Sequence, residues 1–389
     1  MATITASPMA MSRRRSAGEV SPLHHVDWVL LMLPFAISAL GLLMVYSSTR
    51  ARLERAGISE MYFVQRQAIA IVLGVIALAV CMLVDYRKLR DLWALAYIAV
   101  IPLLLGVLVI GASRKGAQAW FDVGPLQFQP SEIAKLAVVV AVAGYCHQHR
   151  GDIDAWRLCM AVLIAGVPIA LVLAQNDLGS AAVIAICAGA VLVIAGVRGQ
   201  HMAVLALLGI TAVGAVVISG TLDDYKLDRL TSFVDQSDGE SAAQQSATEY
   251  NTERAVEAIA AGGFTGSGLF DGTQTKLAYV PEQHTDFIFS VVGEELGFVG
   301  GASLIALFAL LAWRLWRIAL LSSDFFGTLL TMGVLAMFAF QVFENIGMTM
   351  GIMPITGLPL PFMSYGGSAL IASFAAIGLA LNVHMRRFT

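Results

Sequence analysis

Ten apolar runs of near-membrane length organise this 389-residue chain. They fall at about 28–48, 65–84, 92–111, 131–147, 156–174, 178–197, 201–219, 287–313, 325–347 and 366–385. Short polar links separate them, except after the seventh. The pattern predicts an all-α polytopic membrane protein with ten transmembrane helices and one large polar loop at about 220–286. A second non-helical stretch, GIMPITGLPLPFMSYGGSAL (Gly351 to Leu370), is broken by Pro354, Pro359 and Pro361 and by four glycines. It is too broken to span and too apolar to be a free loop, which predicts a re-entrant segment packed into protein.

Composition agrees with this pattern. Hydrophobic residues make up 58% of the chain and charged ones 13%, where soluble domains carry roughly 25% charged residues. Mean hydropathy is +0.77. The four cysteines, Cys81, Cys146, Cys159 and Cys187, lie in or beside apolar runs, with no spacing that suggests a disulfide framework or a metal. The charge distribution gives no sign of a nucleic-acid partner. The polar, basic N-terminus has no apolar core and cleavage site close behind it, so residues 1–27 read as a cytoplasmic tail. The membrane domain then covers 28–385, with a cytoplasmic C-terminus at 386–389.

Basic residues set the expected orientation. With the N-terminus inside, thirteen lysines and arginines fall on the inner side and ten on the outer. Leaving out the long loop, as the positive-inside rule requires, the outer count drops to six. Both termini are therefore expected in the cytoplasm and the 220–286 loop outside. The middle of that loop, DQSDGESAAQQSATEYN, is polar enough to predict mobility. TERAVEAIAAGG after it predicts a short amphipathic helix stopped at Gly262.

This topology gathers the embedded charges at one side. Glu132, Lys135, Asp177, Glu294, Glu295 and Glu344 all fall in the outer half of the membrane. Each ionisable group costs about 2.5–3.5 kcal/mol to insert, so their retention predicts use, and their placement predicts a polar cavity opening outward.

In PEQHTDF, Asp286 directly precedes the apolar run FIFSVV. There it can cap the coming helix or, partly desolvated, act as a general base. His284 can orient the carboxylate or simply sit at the interface. In QPSEIAK, Pro130 and Glu132 suit a helix start, and Glu132 with Lys135 form an ion pair or bind a polar headgroup. In GAQAWFDVGPLQFQP, Trp120, Phe121 and Phe128 read as interfacial anchors or as a platform for a sugar ring. GGFTGSGLFDGTQ lacks the GK[ST] ending of a nucleotide-binding loop.

FQPSEIAK, QNDLGSA, GTQTKLAYVPEQHTDFIFSVVGEELGFVG, NIGMTMGIMPITGLPLPFMSYGGS and NVHMRR together resemble the SEDS family (RodA/FtsW/SpoVE) from about residue 28 to the end. NIGMT, GTQ and PEQHTDF are most similar to the RodA branch. Ala119 departs from the pattern, standing where the family has arginine before the tryptophan, as does Asn176 before Asp177.

The resemblance implies a ten-span inverting glycosyltransferase of the plasma membrane. It would polymerise lipid II, an undecaprenyl-diphosphate disaccharide-pentapeptide, for cell-wall elongation and cell shape. Its partners would be a class B penicillin-binding protein and other elongation-complex membrane proteins. Asp286 falls on the family's catalytic aspartate, and Trp120, Glu132 and Lys135 on its other functional positions. His284, Lys276 of GTQTKL and Ser364 of PFMSYGG complete the candidate substrate contacts. The diphosphate leaving group needs positive charge, from Lys135, from a loop arginine such as Arg229, or from a divalent cation, magnesium or manganese. A lipid flippase, or a scaffold that only activates its penicillin-binding partner, are the alternatives.

Overall fold

A computed structural model describes residues 25–114, 117–123, 126–218 and 247–388. In chain order the helices are α1 (Trp28–Arg55), α2 (Tyr62–Leu83), α3 (Tyr86–Asp91), α4 (Trp93–Ile110), α5 (Pro130–Gln148), α6 (Ala155–Ala174) and α7 (Leu178–Ile194). They continue with α8 (Gly199–Ile218), α9 (Ala247–Gly262), α10 (Thr273–Leu277), α11 (Ile288–Leu320), α12 (Phe325–Thr349) and α13 (Gly367–Met385). Each apolar run of the sequence holds one of the longer helices. Among the described residues, seven are long and apolar enough to cross a membrane: α1, α2, α4, α6, α11, α12 and α13. α5 carries the Glu132–Lys135 pair in its first turns, and α7 has only 17 residues.

Local chemistry sets the helix starts. Asp27, Asp154, Asp177 and Asp324 each accept a backbone N–H from the first turn of α1, α6, α7 and α12. α5 starts instead on Pro130, whose missing N–H costs nothing there. Most flanks of these helices face outward and are apolar: Val109 and Ile110 of α4 are 80% and 76% exposed. That surface suits hydrocarbon, and the protein is a multi-pass membrane protein. The inner contacts rely on small residues. A side-chain carbon at Gly378 of α13 would meet the Leu78 carbonyl of α2 at 2.6 Å, so these two helices can pack only this closely with glycine there.

A chain expected to be all helical also carries a three-stranded antiparallel meander between α4 and α5. Its strands are β1 (Ala112–Arg114), β2 (Ala117–Val123) and β3 (Leu126–Phe128). The non-helical stretch before α13 is buried, with Leu358, Leu360, Phe362 and Met363 each at most 2% exposed. This agrees with a packed segment. The amphipathic helix ending at Gly262 is α9, and it begins earlier than the sequence pattern indicates. Residues 1–24 and 219–246, with the expected N-terminal tail, most of the expected mobile stretch and Arg229, lie outside the described residues.

α11 is interrupted at Gly297, whose φ of 65° and ψ of −163° are open to glycine alone. The short piece before the break carries Glu294 and Glu295. The Glu294 carboxylate accepts the N–H groups of Gln274 and Thr275 at 2.7 and 2.9 Å and the Thr275 hydroxyl at 2.6 Å, holding the start of α10. Glu295 accepts the Phe270 N–H at 3.2 Å and the Ser47 hydroxyl of α1. Both are packing groups that fasten the loop to the bundle.

Candidate active site

Asp286 lies at the end of a turn, residues 281–287, just before α11. The N–H groups of Thr285 and Asp286 both donate to the Glu282 carbonyl, at 3.0 and 3.1 Å. Phe287 holds the N-cap position of α11, and its own side chain makes no capping hydrogen bond.

Four parts of the chain fix the turn through its backbone and neighbours. The Asn345 amide of α12 donates to the Asp286 carbonyl at 2.8 Å and to the Leu358 carbonyl at 2.7 Å. The Tyr365 N–H donates to the His284 carbonyl at 2.9 Å. The Gln283 amide reaches Ser48 of α1 and Thr275 of α10 at 2.7 and 3.0 Å. His284 is 7% exposed, with its ring 4.8 Å from Phe63 and 5.8 Å from Tyr365. A group placed this way is preorganised, since its backbone need not move when substrate arrives.

The turn forms one wall of a cavity of about 630 Å³ at one end of the helices. Glu282, His284 and Asp286 face Trp120 and Asp122 of β2, Tyr62 and Arg66 of α2, and Tyr365 and Ser368 near the start of α13. Side chains alternate along a strand. Trp120 and Asp122 therefore share the cavity face of β2, while Ala119, fully buried, takes the other. Among the described lining residues Arg66 is the only lysine or arginine, and it packs over the Tyr62 ring with 4.3 Å to its centroid. Burial pushes the Tyr365 phenol up, partly offset by its hydrogen bond and charge contact with Arg66.

The carboxylates Asp122, Glu282 and Asp286 line the same space. Among the described residues no three His, Cys, Asp or Glu are grouped so as to hold a metal ion.

Of the residues predicted from sequence, the structure brings Asp286, His284 and Trp120 together in this cavity. Glu132 and Lys135 are almost fully buried and joined at 2.8 Å, a turn deeper than Gln129 on the cavity wall. Neither lines it, and their pairing fits the ion-pair reading. Lys276 pairs with Asp271 at 2.9 Å on the surface, outside the cavity. Ser364 is buried, its hydroxyl accepting the Leu360 N–H at 2.9 Å, which makes it a turn-former within the packed segment.

Among the lining residues, Arg66 and Asp122 are charged groups that the sequence motifs do not single out. Arg66 reads as one charge at the start of an apolar run. The signal for Asp122 was its two-residue offset from Trp120, legible only to a reader expecting a strand.

The FtsW/RodA/SpoVE family model, described as a cell cycle protein, matches residues 27–388. Stage V sporulation protein E of Bacillus subtilis is 34% identical over 361 residues, covering 92% of this chain and 96% of its own. Peptidoglycan glycosyltransferase MrdB of Escherichia coli is also 34% identical, over 364 residues, covering 93% and 94%. Two solved structures share 32% identity with this chain: a peptidoglycan synthase complex coordinating polymerization and crosslinking, and rod shape determining protein RodA of Thermus thermophilus. Their TM-scores are 0.78 and 0.70; each covers 94% of this chain, and the matches span 99% and 98% of those chains.

Proposed function

The chain belongs to the FtsW/RodA/SpoVE family, and from that premise we propose that it is a peptidoglycan glycosyltransferase, polymerising lipid II through the Asp286 cavity. The observation that carries this reading is the meeting of Asp286, Arg66 and Trp120 in one cavity at a single end of the helices. There a lipid-anchored diphosphate and its hydrated sugars can arrive together. A flippase would need a polar lining through the full thickness, whereas every lining residue here lies at one end.

In the proposed step, Asp286 takes the proton from the 4-hydroxyl of the acceptor sugar. That oxygen forms a bond to the anomeric carbon of the donor as the bond from that carbon to the diphosphate breaks. A single displacement inverts the anomeric centre. Asp286 leaves the step protonated and the lipid diphosphate departs with the bonding electrons. General-base assistance of this kind contributes typically about 10²–10⁴-fold. Arg66 is placed to meet the charge that grows on the diphosphate, and Trp120 offers a flat face for a sugar ring. A magnesium or manganese ion would enter with the diphosphate, whose oxygens suit such a hard cation.

By the positive-inside count, the cavity faces outward and both termini lie in the cytoplasm. The likeness to the synthase complex supports a class B penicillin-binding protein as partner, crosslinking the strands made here. The similarity of the diagnostic motifs to RodA supports use in elongation and cell shape.

The test is polymerisation of lipid II by the purified protein, with its penicillin-binding partner and with or without divalent cation. Wild type should build glycan strands, and Asp286→Asn should lose about 10²-fold or more while keeping its melting temperature. Strand synthesis unchanged in Asp286→Asn would remove the base assignment. No strands from wild type under any condition would remove the enzymatic reading.

A further inference from the structure

A second polar pocket, of about 350 Å³, lies between the start of α1 and the ends of α11 and α13. It is at the far end of the molecule from Asp286, roughly 40 Å along α11 at 1.5 Å per residue. Asp27, Arg314, Arg317, His384 and Arg387 form its walls with the first turn of α1. Asp27 is the only carboxylate among them, and both its oxygens are engaged. One accepts the Leu30 N–H at 3.0 Å, and the other accepts the Arg314 guanidinium, with Nε at 2.9 Å. Asp27 therefore neutralises and immobilises Arg314. Among the described residues, no wall carboxylate remains for Arg317 or Arg387. Arg387 contacts the His384 ring nitrogen at 3.4 Å, and its own Nε is buried without a hydrogen-bond partner among the described residues.

The surroundings are aromatic and outward-facing. Trp28, Trp313 and Trp316 are 65%, 53% and 46% exposed around this end of the bundle. Tryptophan concentrates where hydrocarbon meets headgroups, and basic pockets between membrane helices receive anionic lipid phosphates. The start of α1 adds the partial positive charge of a helix N-terminus. Free phosphate could satisfy the arginines but would make no use of the tryptophans.

We propose that this pocket binds the phosphate-diester headgroup of an anionic membrane phospholipid. Arg317 and Arg387 contact the phosphate, Arg314 is held ready beside them by Asp27, and the acyl chains lie along Trp28, Trp313 and Trp316. The site is built into the leaflet opposite the Asp286 cavity and is independent of the glycosyltransferase chemistry.

Native mass spectrometry of the full-length protein in detergent tests this, with phosphatidylglycerol and phosphatidylcholine of identical acyl chains as probes. Wild type should bind phosphatidylglycerol about tenfold more strongly, each arginine contributing severalfold. The Arg317→Gln, Arg387→Gln double variant should bring the two lipids within about twofold. Should the double variant aggregate, each single variant should still lose severalfold of the preference. Lys88→Gln with Arg150→Gln, at the same end but outside the pocket, should keep it, and millimolar inorganic phosphate should leave the lipid bound. Equal binding of both lipids, or an unchanged preference in the arginine variants, would overturn the proposal. So would an equal loss in the Lys88 and Arg150 control, which would mean general surface charge, or displacement by inorganic phosphate, which would mean a soluble anion site.

Discussion

The Asn345 amide donates to the backbone carbonyl of Asp286 at 2.8 Å, joining the end of α12 to the residue assigned the proton transfer. Its second bond, to Leu358, ties in the packed segment that forms another part of the cavity wall. Asn345 is fully buried and does not line the cavity, so it acts as a positioning residue. Replacing it with leucine should lower the turnover number about 10–100-fold, the penalty of a misplaced reacting group. The KM for lipid II should change little, and the kcat-against-KM split distinguishes this from loss of binding. Asn345→Asp, unable to donate while ionised, should not rescue turnover.

Arg66 and Lys276 make a matched comparison, because only one of them is in the cavity. Arg66→Ala should reduce kcat/KM about 10–100-fold, as expected for removing a cation that meets developing charge. Lys276→Ala should stay within about twofold, since its surface partner Asp271 gives it little weight. Lipid II polymerisation at several substrate concentrations reads both.

Glu294 should matter for stability rather than chemistry. Its carboxylate is the acceptor for three donors at the start of α10, and hydrogen bonds to charged groups contribute about 1.5–3 kcal/mol each. Glu294→Ala should therefore lower the melting temperature by several degrees or prevent folding. Glu294→Gln, which keeps the shape and one acceptor oxygen, should retain more of the stability than alanine does, by thermal unfolding in detergent.

The Asp27–Arg314 pair gives a pH signature. Burial pushes the Asp27 carboxyl up, but the Arg314 hydrogen bond, the Leu30 N–H and the Arg314 charge outweigh it and hold it below its ordinary value of 3.8. A carboxylate with a depressed folded-state pKa stabilises fully above the unfolded value and loses that stabilisation as pH falls through the folded one. Asp27→Asn should thus be less stable than wild type at neutral pH. The gap should persist to about pH 4 and close below it, as measured by melting temperature against pH.

The helices and the cavity position of Asp286 were legible in the sequence for a physical reason. Long apolar runs are local signals, and a carboxylate just outside such a run marks itself. The partners of Asp286 are not local. Asn345 lies 59 positions away, and nothing in its neighbourhood distinguishes a staple from an ordinary polar residue in a membrane helix. Glu294 and Glu295 read as cavity or packing groups, and only the loop folded back onto them decides for packing. Lys135 and Ser364 carry suitable functional groups, but burial against Glu132 and within the packed segment directs them to structure. The meander is too short to register against the helical pattern, so the lining role of Asp122 stayed hidden with it.

That meander also restricts how the chain can vary in length. Trp120 faces the cavity because it holds the same parity as Asp122 along β2. One residue added or removed within the strand ahead of Trp120 would turn its indole into the place now filled by Ala119 and present a different side chain to the cavity. Lineages of this protein should therefore tolerate gaps in the links flanking β2 far better than within it. Where a gap does fall inside the strand, it should come as a pair of residues or as a bulge that restores the phase.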